Sequence, residues 1–559
     1  MTVKDMLCPQ SVAIVGASEK SGFGRYTTDN ILKGDLGDHV YLVHPRYTEV
    51  FGHKCYRSLA DIGKPVDLVV LCTPMKTVNG LLREAAAVGT KAAVVFASGY
   101  SEAGEEGKVA QRELVEIAEE YDMAVCGPNC GGFINNEKGI FAFGLRMEAR
   151  KQKGNIGLVS QSGQICSMLA TVPYLHFSYL ISSGNNAVVG VEDYLDYLVD
   201  NDETKVIAVY LEGIRKPAQF VSILAKAARK RKPIIALKVG ASDKARQTAT
   251  AHTGSLAGSD RTFNALFQKY GVIRVDDMED LMETCLLFSI LDKKVTSERI
   301  AICNVSGGEA AISADSCQRQ GVELGDYTED TVEIIKSRLP DFASINNPLD
   351  MTSALVRDYD NYRAAVGALM AEKGVGLIAM GHNPPEKVAE QDRKIDFGLA
   401  DNLIEINRTG TKPIVILSGF SRKRDPELRA CYAQNHIAML ENPKYGLAAI
   451  RRYIQFCTYD PEKRTLDHAI PEKTENEKRE ILSEHESKEL LIRYGIPVPK
   501  EIMAADEKEL KQAVREIGFP VALKISSADI PHKTDIGGVR LNIQSEEEAV
   551  KAFHEILAN

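Results

Sequence analysis

The sequence predicts an α/β protein: three doubly wound parallel sheets in succession, then a smaller α+β unit. Three observations carry this. Short apolar runs alternate with helix-length segments from Val12 to Ser418, the rhythm of parallel strands covered by helices. The second and third series of runs open alike, with a strand, a small polar loop and a helix rich in small residues, as a degenerate internal repeat would. Beyond Tyr459 the composition turns charged and a new pattern begins. A chain of 559 residues holds three to four domains at ~150 residues each.

The first series is Val12-Ala-Ile-Val-Gly16, Val40-Tyr-Leu-Val43, Asp67-Leu-Val-Val-Leu-Cys72, Ala92-Ala-Val-Val-Phe96 and Met123-Ala-Val-Cys126. Helix-length segments such as 78–88 and 108–121 separate them, and this domain is assigned to residues 1–150. The second, 151–295, begins at Asn155-Ile-Gly-Leu-Val159 and includes Val206–Leu211 and Pro233–Lys238. The third, 296–460, begins at Arg299-Ile-Ala-Ile-Cys303 and includes Gly376–Met380 and Pro413–Ser418. Residues 461–480 read as a solvated charged linker. From 481 to 559 a helical segment, a strand at Pro520–Ile525 and a glycine-containing loop leave the alternation unfinished, so a truncated last domain is expected.

Lys and Arg number 68 against 77 Asp and Glu, a net charge of -9, which speaks against a nucleic-acid binder but permits a local basic pocket. The 11 cysteines are scattered without CxxC pairs, as reduced core thiols in a cytoplasmic protein would be. No apolar stretch approaches the ~20 residues of a membrane span, and the start has no apolar signal region.

The loop Gly16-Ala-Ser18-Glu-Lys-Ser-Gly22-Phe-Gly24 lies between a strand and a helix, where glycine lets backbone approach a phosphate. Its spacing is not G-x-G-x-x-G. A NAD site usually ends the second strand with an acidic residue, whereas here it ends in His44-Pro45-Arg46. That favours a nucleotide with an additional phosphate, coenzyme A or NADP; a plain turn with an exposed arginine reads the same way. Other strand ends carry Thr73-Pro74, Ser98-Gly99 and Gly127-Pro128-Asn129, suited to ligand-binding loops and equally to short turns. His252, flanked by small residues in Ala251-His252-Thr-Gly254, reads alone as a hydrogen-bonding loop histidine, but with the helix starts below it is a candidate phosphoryl acceptor. The helix starts at Ser160-Gln-Ser162-Gly163 and Ser306-Gly307-Gly308 offer N–H groups to such a phosphoryl group. Glu212, after a strand, is placed to orient the imidazole.

These residues resemble the NDP-forming acyl-CoA synthetases. Val15-Gly-Ala-Ser18, Gly127-Pro-Asn129, Val159-Ser-Gln-Ser-Gly163 and His252-Thr-Gly-Ser-Leu-Ala-Gly-Ser-Asp260 carry the likeness. Asn347-Pro-Leu-Asp350, Leu523-Lys524 and His532-Lys-Thr-Asp-Ile-Gly-Gly538 extend it over nearly the whole chain. The resemblance implies a Rossmann-like CoA-binding domain, two flavodoxin-like ligase domains and part of an ATP-grasp domain. It implies ligation of a small carboxylic acid to CoA at the expense of ATP, releasing ADP and phosphate, through an acyl phosphate and a phosphohistidine. By this resemblance His252 carries the phosphoryl group and Glu212 stabilises it, while Lys524 contacts nucleotide phosphates and His532 is a second relay histidine. Ser160, Ser162, Gly163, Ser306, Gly307 and Gly308 fall in the phosphate cradles. Gly16, Ser18, Arg46, Thr73, Pro74, Ser98, Pro128 and Asn129 fall along the CoA site. Magnesium is implied with ATP, its ligands expected beyond Asn559, and relatives suggest a homo-oligomer, dimer or tetramer. Two departures stand out: Ser183-Gly-Asn-Asn186 lacks the acidic residue many relatives have after Gly-Asn, and Arg46 replaces a common lysine. An NADP-dependent oxidoreductase and a non-catalytic acyl-CoA-sensing scaffold are the competing readings.

Overall fold

Strands that are buried on both faces read as unbroken apolar runs, and the computed structural model turns most of those runs into parallel sheet. It describes residues 2–147, 153–242, 244–245, 259–341, 343–355, 357–464, 482–527, 530 and 532–558. Two compact units result, Met1–Ile470 and Pro471–Asn559.

The first sheet contains β1 (Val12–Val15), β2 (Val40–Val43), β3 (Glu49–Val50), β4 (His53–Tyr56), β5 (Leu68–Leu71), β6 (Ala92–Val95) and β7 (Ala124–Cys126). Their order is β3-β4-β2-β1-β5-β6-β7. From β1 the chain runs outward to β2 and then returns to β5 on the other side, so the strand order reverses between β1 and β5. In open α/β sheets the crevice at such a reversal, outside the carboxyl ends of the strands, is where ligands bind. The four residues of β1 are at most 5% exposed, and truncating a core residue such as Ile14 to alanine would cost about 2–5 kcal/mol.

The second sheet contains β8 (Gly132–Asn135), β9 (Ile156–Ser160), β10 (Phe177–Ser182), β11 (Val206–Leu211), β12 (Ile234–Lys238) and β13 (Ile273–Val275), in the order β13-β12-β11-β9-β10-β8. β8 pairs antiparallel with β10, so the chain enters this sheet directly after β7. Here the order reverses between β9 and β11. The third sheet, β15-β14-β16-β17-β18, is wholly parallel and reverses between β14 (Ile300–Asn304) and β16 (Leu377–Met380). Its other strands are β15 (Leu349–Asp350), β17 (Ile414–Leu417) and β18 (Ala438–Leu440).

The second unit has a two-stranded antiparallel sheet, β19 (Val521–Lys524) with β20 (Val539–Ile543). Helices Glu507–Ile517 and Glu546–Ala558 pack around a small core that includes Leu510, Val514, Val521 and Ile543. All eleven cysteines are free thiols, seven of them buried. Burial pushes the Cys303 thiol up to about 12, so it stays protonated and inert. Among the described residues no helix is long and apolar enough to cross a membrane.

Candidate active site

At the first reversal, Gly16 follows β1 with φ +89, and a Cβ there would stand 2.8 Å from the Cys72 carbonyl oxygen at the end of β5. Gly24 is tighter still: its Cβ would meet the Gly16 carbonyl oxygen at 2.3 Å, so helix Phe23–Leu32 can lie against this loop only without a side chain. The helix is capped by Gly22, which leaves its first N–H groups without a side-chain acceptor. Thr73 adjoins Gly16, and its buried Oγ1 has no hydrogen-bond partner among the described residues. Glycine clearance, a helix N-terminus and an unmet hydroxyl together make a cradle that fits a phosphate-bearing ligand such as CoA.

The basic turn after β2 frames this cradle. Nδ1 of His44 accepts from the backbone N–H groups of Arg46 (3.1 Å) and Tyr47 (3.3 Å), and its ring stacks on Tyr47. Burial, then the charges of Arg46 and Lys20, hold its pKa below the ordinary value. The ring is therefore a neutral clasp that aims Arg46 outward. Arg46 and Lys20 are exposed and make no ion pair among the described residues. Ser18 accepts from the Lys20 N–H at 3.0 Å and shapes the same loop. Pro74 precedes helix Met75–Ala87, and Ser98 is exposed after β6.

Pro128 and Asn129 lead out of the first sheet toward the second, and the loop Ser183–Ala187 ties the two sheets together. The backbone N–H of Ser183 donates to the Ser160 carbonyl (2.8 Å), that of Asn185 to Pro128 (2.9 Å) and that of Ala187 to Gly127 (3.0 Å). The Asn185 side chain donates to Glu102 (2.6 Å), and Asn129 donates to Asn185 Oδ1 (3.3 Å). Burial would raise the Glu102 pKa, but hydrogen bonds from Asn185 and the backbone N–H groups of Gly99 and Tyr100 bring it below the ordinary value. Asn186 takes φ +54, a left-handed conformation that asparagine tolerates better than most residues. Arg215 anchors the loop through the Asn186 and Ala187 carbonyls.

The start of helix Gly163–Ala170 lies beside this bridge. Ser162 caps it by accepting from Ile165 N–H (3.4 Å), and Ser160 Oγ donates to the Ser162 carbonyl (2.7 Å). Such a cap contributes about 1 kcal/mol. At the second reversal Gln161 reaches from β9 to β11: its Oε1 accepts from the N–H groups of Glu212 (2.5 Å) and Gly213 (3.0 Å). Glu212 is 7% exposed. Behind it Lys238, 4% exposed, donates to the Glu212 carbonyl at 3.0 Å; burial lowers its pKa against the opposing pull of Asp260 and Glu212. His252 lies outside the described residues.

The matching turn in the third sheet, Ser306-Gly307-Gly308, opens helix Gly307–Gln320. Ser306 caps it by accepting from Glu309 N–H (3.3 Å), and the Glu309 carboxylate accepts from Val305 N–H (3.3 Å) and Asn383 Nδ2 (3.0 Å). Among the described residues no hydrogen bond joins the two turns. In the second unit, Lys524 closes β19 and donates to Glu484 Oε1 (2.9 Å), while Lys533 lies 3.3 Å from Glu484 Oε2. The lysines hold the Glu484 carboxyl down at about 2. His532 is exposed, and its carbonyl accepts from Asp535 N–H. No group of three or more His, Cys, Asp or Glu among the described residues is placed to hold a metal.

Sequence reasoning missed Gln161, Lys238 and Glu484, and marked Asn185 only as part of a loop that departs from relatives. A charge ending the apolar run Pro233–Lys238 pointed to Lys238; Gln161 acts on a partner distant in sequence, and Glu484 joins Lys488 one turn away to Lys524.

Known proteins place the chain. Its residues 10–136 match a CoA binding domain, 153–288 a succinyl-CoA ligase like flavodoxin domain and 473–559 an ATP-grasp domain. It is 32% identical to 4-hydroxybutyrate--CoA ligase [ADP-forming] of Nitrosopumilus maritimus over 573 residues, covering 100% of this chain and 80% of that protein. It is also 32% identical to acetate--CoA ligase [ADP-forming] I of Archaeoglobus fulgidus, over 99% of this chain and 79% of that one. The dinucleotide-forming acetyl-coenzyme A synthetase 1 of Ca. Korarchaeum cryptofilum, solved with phosphate and ADP, superposes with a TM-score of 0.72 at 27% identity, covering 81% of this chain and 96% of that one. The oxidoreductase reading finds no support in these relatives. With CoA-binding, flavodoxin-like ligase and ATP-grasp segments in this order, the chain belongs to the NDP-forming acyl-CoA synthetase family.

Proposed function

We propose that the chain ligates a small carboxylic acid to CoA with release of ADP and phosphate, using His252 as phosphoryl carrier. The observation that carries this reading is the Ser183–Ala187 bridge, which holds the Pro128 end of the CoA-side loops against the Ser160–Gly163 turn. Thiol delivery and phosphoryl binding thus share one frame.

A carboxylate is a poor electrophile because its charge is delocalised and its oxygen leaves badly. Transfer of the phosphoryl group from the imidazole nitrogen of His252 to the carboxylate breaks the P–N bond, forms a P–O bond and leaves a neutral imidazole. The CoA thiolate then attacks the acyl carbon, and phosphate departs with the electron pair of the C–O bond. Dividing the reaction this way replaces one high barrier with lower ones. The Gly163 N–H cradles the phosphoryl oxygens at the helix N-terminus, while the Ser162 N–H stays on Ser160 Oγ. Glu212, fixed by Gln161 and Lys238, orients the imidazole by accepting its other N–H. Ser306, Gly307 and Gly308 supply a second cradle, Lys524 meets the phosphates of ATP, and His532 receives its terminal phosphoryl group first. Gly16, Ser18, Arg46, Thr73, Pro74, Ser98, Pro128 and Asn129 hold CoA. Magnesium, typical of ATP-dependent ligases of this kind, would neutralise the phosphates of ATP when bound; no cluster of carboxylates among the described residues is placed to hold it. The same reading makes the chain a homo-oligomer and divides it at residues 295, 460 and 480; the first division, read from sequence at 150, falls instead before β8, which already pairs with β10 in the second sheet.

Incubating the chain with an acyl-CoA and radiolabelled phosphate runs the last steps backwards and needs no ATP. The expected product is protein-bound phosphate that is acid-labile and alkali-stable, reduced more than about 100-fold in His252→Ala. Retention of the label in that variant would overturn the assignment.

A further inference from the structure

The third sheet carries a feature the phosphoryl relay leaves unused. At its reversal, between the carboxyl ends of β14 and β16, lies a cavity of about 130 Å³. Asn304 and Val305 line it from β14, Gly381 and His382 from β16, and Leu399 and Leu403 from helix Glu390–Thr409. Asn304 is 5% exposed, and its Oδ1 has no hydrogen-bond partner among the described residues. Buried acceptors left unmet are rare in folded proteins, and each calls for a reason. His382 is already committed, with Nδ1 3.0 Å from the Tyr432 hydroxyl and Nε2 2.8 Å from Asp396. The remaining lining is mostly aliphatic, methionine and tyrosine side chains.

We propose that this cavity takes the far end of the acid, and that the acid class is a short aliphatic chain bearing a hydroxyl. The inference rests on the ligase reading above and names its substrate class. An apolar cavity of about 150 Å³ accommodates a benzene-sized molecule, so this one holds a tail of about four or five carbons. No lysine or arginine lines it and Asp396 does, so the ionised carboxylate stays outside. It has a place to go: Val305, in the lining, is followed directly by the Ser306–Gly308 helix start. A hydroxyl suits Asn304 because it both donates and accepts, and so pairs with either orientation of the amide.

The test compares acetyl-, pentanoyl- and 5-hydroxypentanoyl-CoA as donors in the labelling reaction, with the full chain and with Asn304→Ala, Leu403→Phe and Met380→Phe. Wild type is expected to favour 5-hydroxypentanoyl over pentanoyl about tenfold, and Asn304→Ala to erase that preference. Each filling variant is expected to lower the hydroxypentanoyl-to-acetyl ratio about tenfold or more. Having two filling variants from different elements guards against one misfolding. Unchanged ratios in the folded variants would overturn the proposal. If no acyl-CoA labels the chain, the ligase reading fails, and calorimetry with free 5-hydroxypentanoate then decides the cavity alone. Binding to wild type that is lost in the filling variants supports the site, and no binding to wild type overturns it.

Discussion

Two regions of this molecule hold cations beside the glycine loops proposed above to meet phosphate, and they keep them differently. Beside the first sheet, Arg46 and Lys20 stand exposed and without ion pairs among the described residues, the first held by the neutral ring of His44 and the second by Ser18. In the second unit Lys524 and Lys533 share the carboxylate of Glu484, to which Lys488 also binds at 3.0 Å. A phosphate arriving at the first region displaces only water. At the second it must displace a carboxylate, so attraction for the incoming anion is partly offset by the ion pairs given up. The difference teaches that a free cation costs an incoming anion only bound water, whereas a paired one also costs it an ion pair.

The largest effect should come from reversing the charge of the free region. Arg46→Glu is expected to weaken CoA by more than about tenfold, since a hydrogen bond between charged groups contributes about 1.5–3 kcal/mol. Dephospho-CoA should lose far less, and calorimetric titration of both ligands checks this; equal losses would remove Arg46 from the phosphate. Relieving the held region should act the other way. Glu484→Gln is expected to tighten ADP binding about two- to fivefold, in the range of a partly exposed ion pair, and weaker binding would show that Glu484 organises the lysines rather than competing for them.

The smallest effect concerns acid stability. Glu484 is held at about 2 in the folded chain, below the ~4.3 of a free glutamate. Its contribution to stability is therefore complete above ~4.3 and disappears as pH falls toward about 2. Thermal melts from pH 6 to 2.5 should show wild type losing about 2 °C more than Glu484→Gln over that window. Identical slopes would mean that the ion pairs add nothing to the fold.

The sequence made the repeated openings readable because strand, small loop and helix are local patterns. Ser162 and Ser306 sit as caps where a serine before a glycine-led helix should. The apolar runs marked most strands buried on both faces, but not β10, whose Phe177-Ser-Tyr-Leu-Ile-Ser182 is interrupted by serines though wholly buried, nor the short or edge strands β3, β4, β8, β13, β15 and β18. The glycine at position 16 was legible as a close approach, but not which backbone it approaches. Gln161 and Glu484 were invisible for a single reason, since their partners lie 51 and 40 residues away. A side chain's role in such a pair is set by the fold that brings the partner close.

The early crossing of β8 into the second sheet has a bearing on how that sheet ends. β8 covers the outer margin of β10, whose backbone would otherwise present an open row of donors and acceptors. Uncovered margins of this kind recruit strands from other copies. The segment that leaves the first sheet thus becomes the second sheet's selvage, itself backed by 140–143 through the Asn135–Ile140 and Gly132–Phe143 bridges, and a fragment cut between β8 and β9 would carry a raw edge prone to fibrous self-stacking.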